Sequence, residues 1–338
     1  MASILQVDKL RIGYQTAKGE ARAVDGVSFD LEAGEFLGLV GESGCGKSTI
    51  AKAVLGILPA NARVSGSMKY RDTELVGIAQ DRLRRLRWSE ISVVPQSAMN
   101  GFDPVYTVEQ QLEEAIAAHA QMPLEQRRAR VEEMSRMVGI DPKRLKDYPH
   151  QFSGGMRQRA MIAMAMVLGP GLIIADEPTT GLDVIVQDEI LQRIRKIHLE
   201  SNKTMLLITH DMAVIAENCD RIVVMYAGKV MEYGREAVFL APFHPYTLGL
   251  CNAFPDLDDR QRELISIPGS PPSLLHPPPG CRFAPRCPFA TELCAREEPP
   301  LVEVGTDHVA ACHHVHRAHE MRRLAKDPNT WRSSAASA

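Results

Sequence analysis

Gly41-Glu42-Ser43-Gly44-Cys45-Gly46-Lys47-Ser48-Thr49 is the stretch on which the reading of this chain turns. It satisfies the pattern G-x-x-x-x-G-K-[ST], and its flanks matter as much as the pattern itself. Upstream, Phe36-Leu37-Gly38-Leu39-Val40 has the length and composition of a buried strand. Downstream, Ile50, Ala51, Ala53, Val54, Leu55, Ile57 and Leu58 recur at helical spacing, which predicts a helix running to Pro59. Between them Gly41, Gly44 and Gly46 let the backbone curl, so that successive N–H groups face one concavity at a helix N-terminus. Such a concavity suits an anionic polyphosphate. Lys47 would reach the β- and γ-phosphates and Ser48 would hold Mg2+, with Ser43, Cys45 and Thr49 in the same cradle. This is a nucleotide site.

The 338 residues suffice for one large or two ordinary domains, and 45% hydrophobic with 24% charged residues is ordinary for a globular protein. A formal net charge of −3 gives no sign of a nucleic-acid binder. No apolar run approaches the roughly 18 residues a bilayer span needs. The N-terminus lacks the segmentation of a signal peptide. A cytosolic protein is expected, with any membrane role exercised through a partner. Of seven cysteines, Cys45, Cys219 and Cys251 are scattered, while Cys281, Cys287, Cys294 and Cys312 cluster. In a reducing compartment such a cluster points to metal rather than disulfides.

Residues 1 to about 35 alternate like strands, with Tyr14 expected in the loop between two of them and placed to stack on an adenine ring. Ile91 to Val94 reads as a buried strand ending at Pro95-Gln96, and the pattern from Ser97 to about Met166 is helical. Inside it, Ser153-Gly154-Gly155 opens a Met- and Ala-rich helix, a second anion-binding candidate. Leu172 to Ala175 is an apolar strand running into Asp176-Glu177, acidic residues at the carboxyl end where sites in parallel sheets gather. Asp176 would hold Mg2+ through water, and Glu177 would polarise the attacking water. Leu182-Asp183, a long helix to about Ser201, and the strand Thr204–Thr209 ending at His210 follow. Arg221–Met225 and Lys229–Tyr233, joined by Ala227-Gly228, read as a hairpin that closes the domain.

These elements in this order resemble the nucleotide-binding subunit of an ABC transporter. The resemblance rests on an A-loop candidate (Tyr14), Walker A (Gly41–Thr49), Q-loop (Gln96), signature (Ser153-Gly154-Gly155), Walker B (Leu172–Glu177), D-loop (Leu182-Asp183) and switch histidine (His210). It implies an α/β P-loop fold: a RecA-like core with an antiparallel β subdomain and a helical subdomain at about 97–166, together spanning 1–240. It also implies a head-to-tail dimer sandwiching two ATPs. Each site would pair Lys47, Ser48, Gln96, Asp176, Glu177 and His210 of one subunit with the signature of the other, Gln96 helping to hold Mg2+. Phe152, Met156 and Gly181 stand where Leu, Gln and Ala are usual. Because Ser153, Gly154 and Gly155 remain, the phosphate contacts are expected to survive.

Residues 241–338 narrow the resemblance. Pro242-Phe243-His244-Pro245-Tyr246-Thr247, a Pro-rich stretch and the four cysteines are similar to the C-terminal extension of oligopeptide and dipeptide importer ATPases. Met99 to Pro104 also resembles that family's segment after the Q-loop. The resemblance implies a subunit on the cytoplasmic face of the membrane, with a second, non-identical ATPase, two permeases and an extracytoplasmic binding protein as partners. Soluble remodelling ATPases usually carry two cassettes or a long coiled coil, and exporters lack this extension; both readings are disfavoured. The cysteine spacings of five, six and seventeen contain no short C-x2–4-C pair of the kind zinc sites use. They suit a cysteine-ligated 4Fe-4S cluster, as in some relatives, with Arg282 and Arg286 available to offset thiolate charge. His313, His314 and His316 keep zinc as the alternative.

Overall fold

The computed structural model describes residues 3–96, 101–253 and 265–335. Strands β1 (Ser3–Thr16), β2 (Gly19–Glu32) and β3 (Phe36–Val40) lead into α1 (Lys47–Val54). Next come β4 (Ala62–Tyr70), β5 (Thr73–Glu74), α2 (Gln80–Leu86) and β6 (Ile91–Val94). Helices α3 (Val108–Ala117), α4 (Leu124–Met137) and α5 (Gly154–Met166) precede β7 (Leu172–Asp176), α6 (Val184–Ser201), β8 (Thr204–Thr209) and α7 (Met212–Asn218). The chain continues through β9 (Arg221–Tyr226), β10 (Lys229–Gly234), α8 (Ala237–Leu240) and α9 (Pro245–Asn252). It finishes with α10 (Glu292–Arg296), β11 (Val302–Gly305), β12 (His308–Ala310), α11 (Ala318–Leu324) and α12 (Pro328–Ala335).

Two compact units result, each assembled from separate stretches of sequence. One comprises Met1–Ile4, Leu31–Phe36 and Gly77–Ile208. In it β6, β7 and β8 run parallel, with Ile91 opposite Leu172 and Ala175 opposite Leu207, which sets Asp176 opposite Ile208 at the carboxyl end. Leu172 to Ala175 is buried throughout, as expected of a parallel strand covered on both faces. The helical region contains α3, α4 and α5; Thr107 and Gln110 start α3 with a reciprocal capping box. Ser97 to Asn100, which include Met99 and Asn100 of the segment after Gln96, lie outside the described residues.

The other unit comprises Leu5–Asp30, Leu37–Val76 and Thr209–Ala338. Its antiparallel sheet has the order β2-β1-β4-β5. Separately, β3 runs parallel to β9, with Leu39 opposite Val223. The β9–β10 hairpin turns through Ala227 and Gly228, whose φ values of 45° and 84° are those of a two-residue type I′ turn. This hairpin is not the last of its sheet: β12 pairs with β10, Tyr233 opposite Val309, and β11 pairs with β12. Glu232, fully buried on β10, explains how the late strands are held. Its carboxylate accepts the N–H groups of Phe243 at 2.7 Å and His244 at 3.0 Å, and the His308 ring lies at 2.7 Å. A buried charge needs such a shell of partners, and here they come from two separate stretches of the extension.

Two local expectations change. Helix α1 stops at Val54 rather than Pro59, because Gly56 takes φ 60° and closes a Schellman cap. In that cap Gly56 N–H donates to Ala53 O at 3.0 Å and Ile57 N–H to Lys52 O at 2.9 Å. Tyr14 sits on β1, opposite Ala62 of β4, not in a loop. The pairing of β1 with β4 runs through Ile12, Gly13 and Tyr14 in register, so the strand does not break before the aromatic ring.

Candidate nucleotide site and cysteine module

Strand β3 delivers the phosphate loop and α1 carries it away. Gly46, with φ 106°, is the N-cap of α1, and a Cβ there would overlap the Ala23 carbonyl oxygen. Gly46→Ala is therefore expected to strain the backbone by about 1–3 kcal/mol and to weaken ATP binding at least ~10-fold. Unchanged affinity in a nucleotide titration of that variant would refute the assignment of the loop's shape. Lys47 is 4% exposed. Its ammonium donates to Gly41 O at 2.6 Å and Glu42 O at 3.1 Å, with Cys45 Sγ at 3.6 Å. Burial pushes the Cys45 thiol up, while the nearby Lys47 charge pulls the other way. A buried cation folded into a glycine-rich loop at a helix start fits a polyphosphate. Tyr14 reaches the same helix, its hydroxyl donating to Thr49 Oγ1 at 3.2 Å, so the aromatic chosen from sequence does border the loop. Ser48 follows Lys47 on α1, half-buried, and Ser43 and Gly44 are exposed. His210 belongs to this unit and lies exposed just past β8, before Asp211, which caps α7 by accepting the Ala213 N–H at 2.8 Å.

The remaining ATP-site candidates belong to the other unit. Asp176 ends β7, and Glu177 follows with φ 46°, a left-handed conformation that is costly for a non-glycine residue. Its N–H is fixed on Ile208 O at 2.8 Å. Its Oε2 accepts from Gln96 Nε2 at 2.8 Å and from Thr180 Oγ1 at 3.0 Å. The structure thus joins Gln96 and Glu177 directly, a contact the sequence did not disclose. Ser153 is the N-cap of α5, accepting the Met156 N–H at 3.2 Å. Gly154 and Gly155 form the first turn, where a Cβ would approach Leu182 to 3.2 Å and Val186 to 2.6 Å respectively. Those contacts explain why small residues open this helix beside Asp183, which caps α6 through the Val186 N–H at 3.0 Å. Phe152, in the position where Leu is usual, is buried at 3% exposure and keeps the apolar anchor. Gly181 has φ 82°, so glycine suits the place where alanine is usual.

In the extension, Cys281, Cys287, Cys294 and Cys312 line one small cavity, with His244, His313 and His314 among the other walls. Burial, reinforced by neighbouring thiols, pushes Cys281 up to about 11, Cys312 up to about 12 and Cys287 well above its ordinary range. Convergent, desolvated thiols of this kind fit a soft metal that binds thiolates. Among the described residues, however, no group of three or more His, Cys, Asp or Glu stands in metal-ligating geometry. The expected metal site is accordingly seen as a convergence of four cysteines and not as a formed ligand set.

Arg282 and Arg286 do not face the thiolates as the sequence suggested. Arg286, 7% exposed, donates from Nη1 to Glu42 Oε2 at 2.8 Å and to Tyr226 Oη at 3.0 Å. Burial opposes its charge, but these hydrogen bonds outweigh that and raise its pKa. Tyr246, of the His244–Thr247 motif, accepts the Glu42 N–H on its hydroxyl at 2.9 Å. His244 caps α9, accepting the Tyr246 N–H on Nδ1 at 3.0 Å, and full burial lowers its pKa to about 3, so the ring is neutral. The contacts that join Glu42 to Tyr246 and Arg286 are ones that motif reading did not disclose.

Comparison with known proteins agrees with this anatomy. The ABC transporter family model matches residues 24–180, and that of the oligopeptide/dipeptide transporter C-terminal region matches 231–294. The oligopeptide transport ATP-binding protein OppD of Escherichia coli is 45% identical over 92% of this chain and 93% of its own. The dipeptide transport ATP-binding protein DppD of Bacillus subtilis is 44% identical over 92% of this chain and 95% of its own. Among solved structures, the ATP-binding cassette MJ0796, dimeric and bound to ADP and Pi, aligns with a TM-score of 0.61 at 27% identity. That match covers 69% of this chain and 98% of the cassette. With both family regions present and such identity along nearly its whole length, the chain belongs to the ATP-binding subunits of oligopeptide/dipeptide ABC transporters.

Proposed function

We propose that this protein hydrolyses ATP to power import of peptides or a related small solute, from the cytoplasmic face of the membrane. The observation that carries the reading is the phosphate loop tied, through Glu42, to the extension that distinguishes peptide-importer ATPases. The working unit is a head-to-tail dimer with a homologous, non-identical ATPase, joined to two permeases and served by an extracytoplasmic binding protein. Ser153, Gly154 and Gly155 of one subunit then complete the phosphate site of the other. Val184 and Ile185, 79% and 74% exposed just after Asp183, supply apolar area for that association.

Residues 1–240 carry the ATPase and 241–338 the appended module. Tyr14 stacks on the adenine and the Gly41–Thr49 loop holds the phosphates. Ser48, Asp176 and Gln96 hold Mg2+, which when bound neutralises charge on the β- and γ-phosphates. Glu177 takes a proton from the water that adds to the γ-phosphorus as the bond to ADP breaks, and His210 senses the γ-phosphate. The four cysteines hold a 4Fe-4S cluster, with zinc as the competing occupant.

Gln96 lies at the start of the segment that meets the permease. Val105 and Tyr106, 69% and 51% exposed, form the apolar contact. A cysteine placed at Val105 is expected to cross-link to a cytoplasmic permease loop in the assembled transporter, with a yield that changes when ATP is added. Absence of any cross-link from Val105 or from any position of Met99 to Pro104 would sink the coupling claim. Solute uptake into vesicles containing the whole complex, dependent on internal ATP, tests the function itself; outward transport would overturn the import reading.

A further inference from the structure

Two buried arginines leave the Cys281–Cys287 loop and both lead to the phosphate loop. The first path is direct. Arg286 is held on its own side by Pro268 O at 2.8 Å and Ile267 O at 3.2 Å, and it presents Nη1 to Glu42 Oε2 at 2.8 Å. With the Tyr246 hydroxyl on the Glu42 N–H at 2.9 Å, both the backbone and the carboxylate of the second loop residue are fixed from outside the cassette motifs. The second path is indirect. Arg282, 4% exposed, donates to the Ala227 carbonyl and pairs with Asp25. That pins the β9–β10 turn, whose Gly228 N–H donates to Cys45 O at 3.0 Å. Glu42 and Cys45 bracket the tip of the loop, so the two paths grip it at both shoulders.

Arg286 meets the phosphate loop through the Glu42 carboxylate, and Arg282 acts on it through the β9–β10 turn. What they supply is a loop already in its binding shape, which spares the ordering cost on association. We propose that the Cys281–Cys287 loop is a second holder of the phosphate loop, with Arg286, acting through Glu42, as a positioning residue for ATP. It follows by linkage that ordering of the cysteine loop and nucleotide binding favour each other by the same factor. The inference rests on Gly41–Thr49 being the phosphate loop of the ATP site.

A fluorescent ATP analogue titrated against the full chain tests both. Arg286→Gln and Glu42→Gln are each expected to weaken binding about tenfold, and the double variant no further, because the two act as one unit. Arg296→Gln, which removes an exposed arginine of the same module, should leave affinity unchanged. Hydrogen exchange supplies a readout that general loosening would not give: amides of residues 42–46 should exchange faster in Arg286→Gln while those of β7 stay as they were. Conversely, ATP should slow exchange in residues 281–287 of the unsubstituted chain but not of Arg286→Gln. If Arg286→Gln does not fold, Tyr246→Phe and Glu42→Gln, which leave the cysteine loop intact, must still weaken binding and speed exchange at 42–46. Failure of the unsubstituted chain to bind the analogue would overturn the site itself. Binding within twofold of normal in the variants, or additive losses in the double variant, would overturn only the positioning role.

Discussion

Glu177→Gln is expected to lower ATP hydrolysis by the assembled transporter about 10²–10⁴-fold while leaving ATP affinity within a factor of about three. The amide has the carboxylate's shape and can still accept a hydrogen bond, so the contacts with Gln96 and Thr180 survive at Glu177 Oε2's position. It cannot take a proton from water. The left-handed φ of 46° and the Ile208 anchor concern the main chain and are unaffected. Loss of rate without loss of binding separates a base from a structural carboxylate, because a structural role would lower both together. The measurement is ATPase turnover beside a nucleotide titration of the same preparation, and parental turnover by Glu177→Gln would remove Glu177 as the base. Gln96→Ala provides the companion result. Freed from the Gln96 amide, Glu177 keeps Thr180, so basal hydrolysis should fall much less than in Glu177→Gln while transport-coupled stimulation is lost.

The part of this site that could be read from sequence is the part written in consecutive residues. Gly41–Thr49, Ser153–Gly155 and Asp176-Glu177 each place their chemistry at one end of one strand or helix, so spacing and strand–helix register suffice to find them. What escaped is contact between distant stretches. Glu42 meets Tyr246 across 204 positions and Arg286 across 244, and Gln96 meets Glu177 across 81. No local period encodes such pairs. The role given to Arg282 and Arg286 failed for the same reason: proximity to cysteines in sequence suggested thiolate partners, whereas the backbone turns both side chains toward the cassette. Apolar spacing through Leu58 carries the expected helix past Gly56, the residue that supplies the left-handed cap of α1. Nor does the hairpin that reads as closing the domain reveal the strands added beyond it, because β11 and β12 are short, at four and three residues, and arrive from beyond residue 300.

Cys287→Ser is expected to remove essentially all bound metal from the anaerobically purified protein. Cys287 is the member whose pKa is raised by burial and by all three other cysteines, which places it among them. A hydroxyl in its place is a poor ligand for a soft metal, and the remaining three thiols would be left around a desolvated cavity. The unsubstituted protein should be brown, with visible sulfur-to-iron charge-transfer absorbance that bleaches on reduction. Zinc is the competing occupant: His314 Nε2 lies 3.5 Å from Cys294 Sγ, and a tetrahedral site could recruit it. The two are separable by substitution as well as by colour. An iron–sulfur cluster held by four thiolates survives His314→Ala with its iron content intact, whereas a zinc site using that imidazole loses affinity. Colourless anaerobic protein with stoichiometric zinc defeats the cluster, and iron content unchanged by replacing all four cysteines with serine defeats the site. Because the residues proposed for the ATP chemistry all precede 211, metal loss should leave those groups in place. Its effect on turnover should then appear first in ATP affinity, the quantity proposed to depend on the Arg286–Glu42 contact.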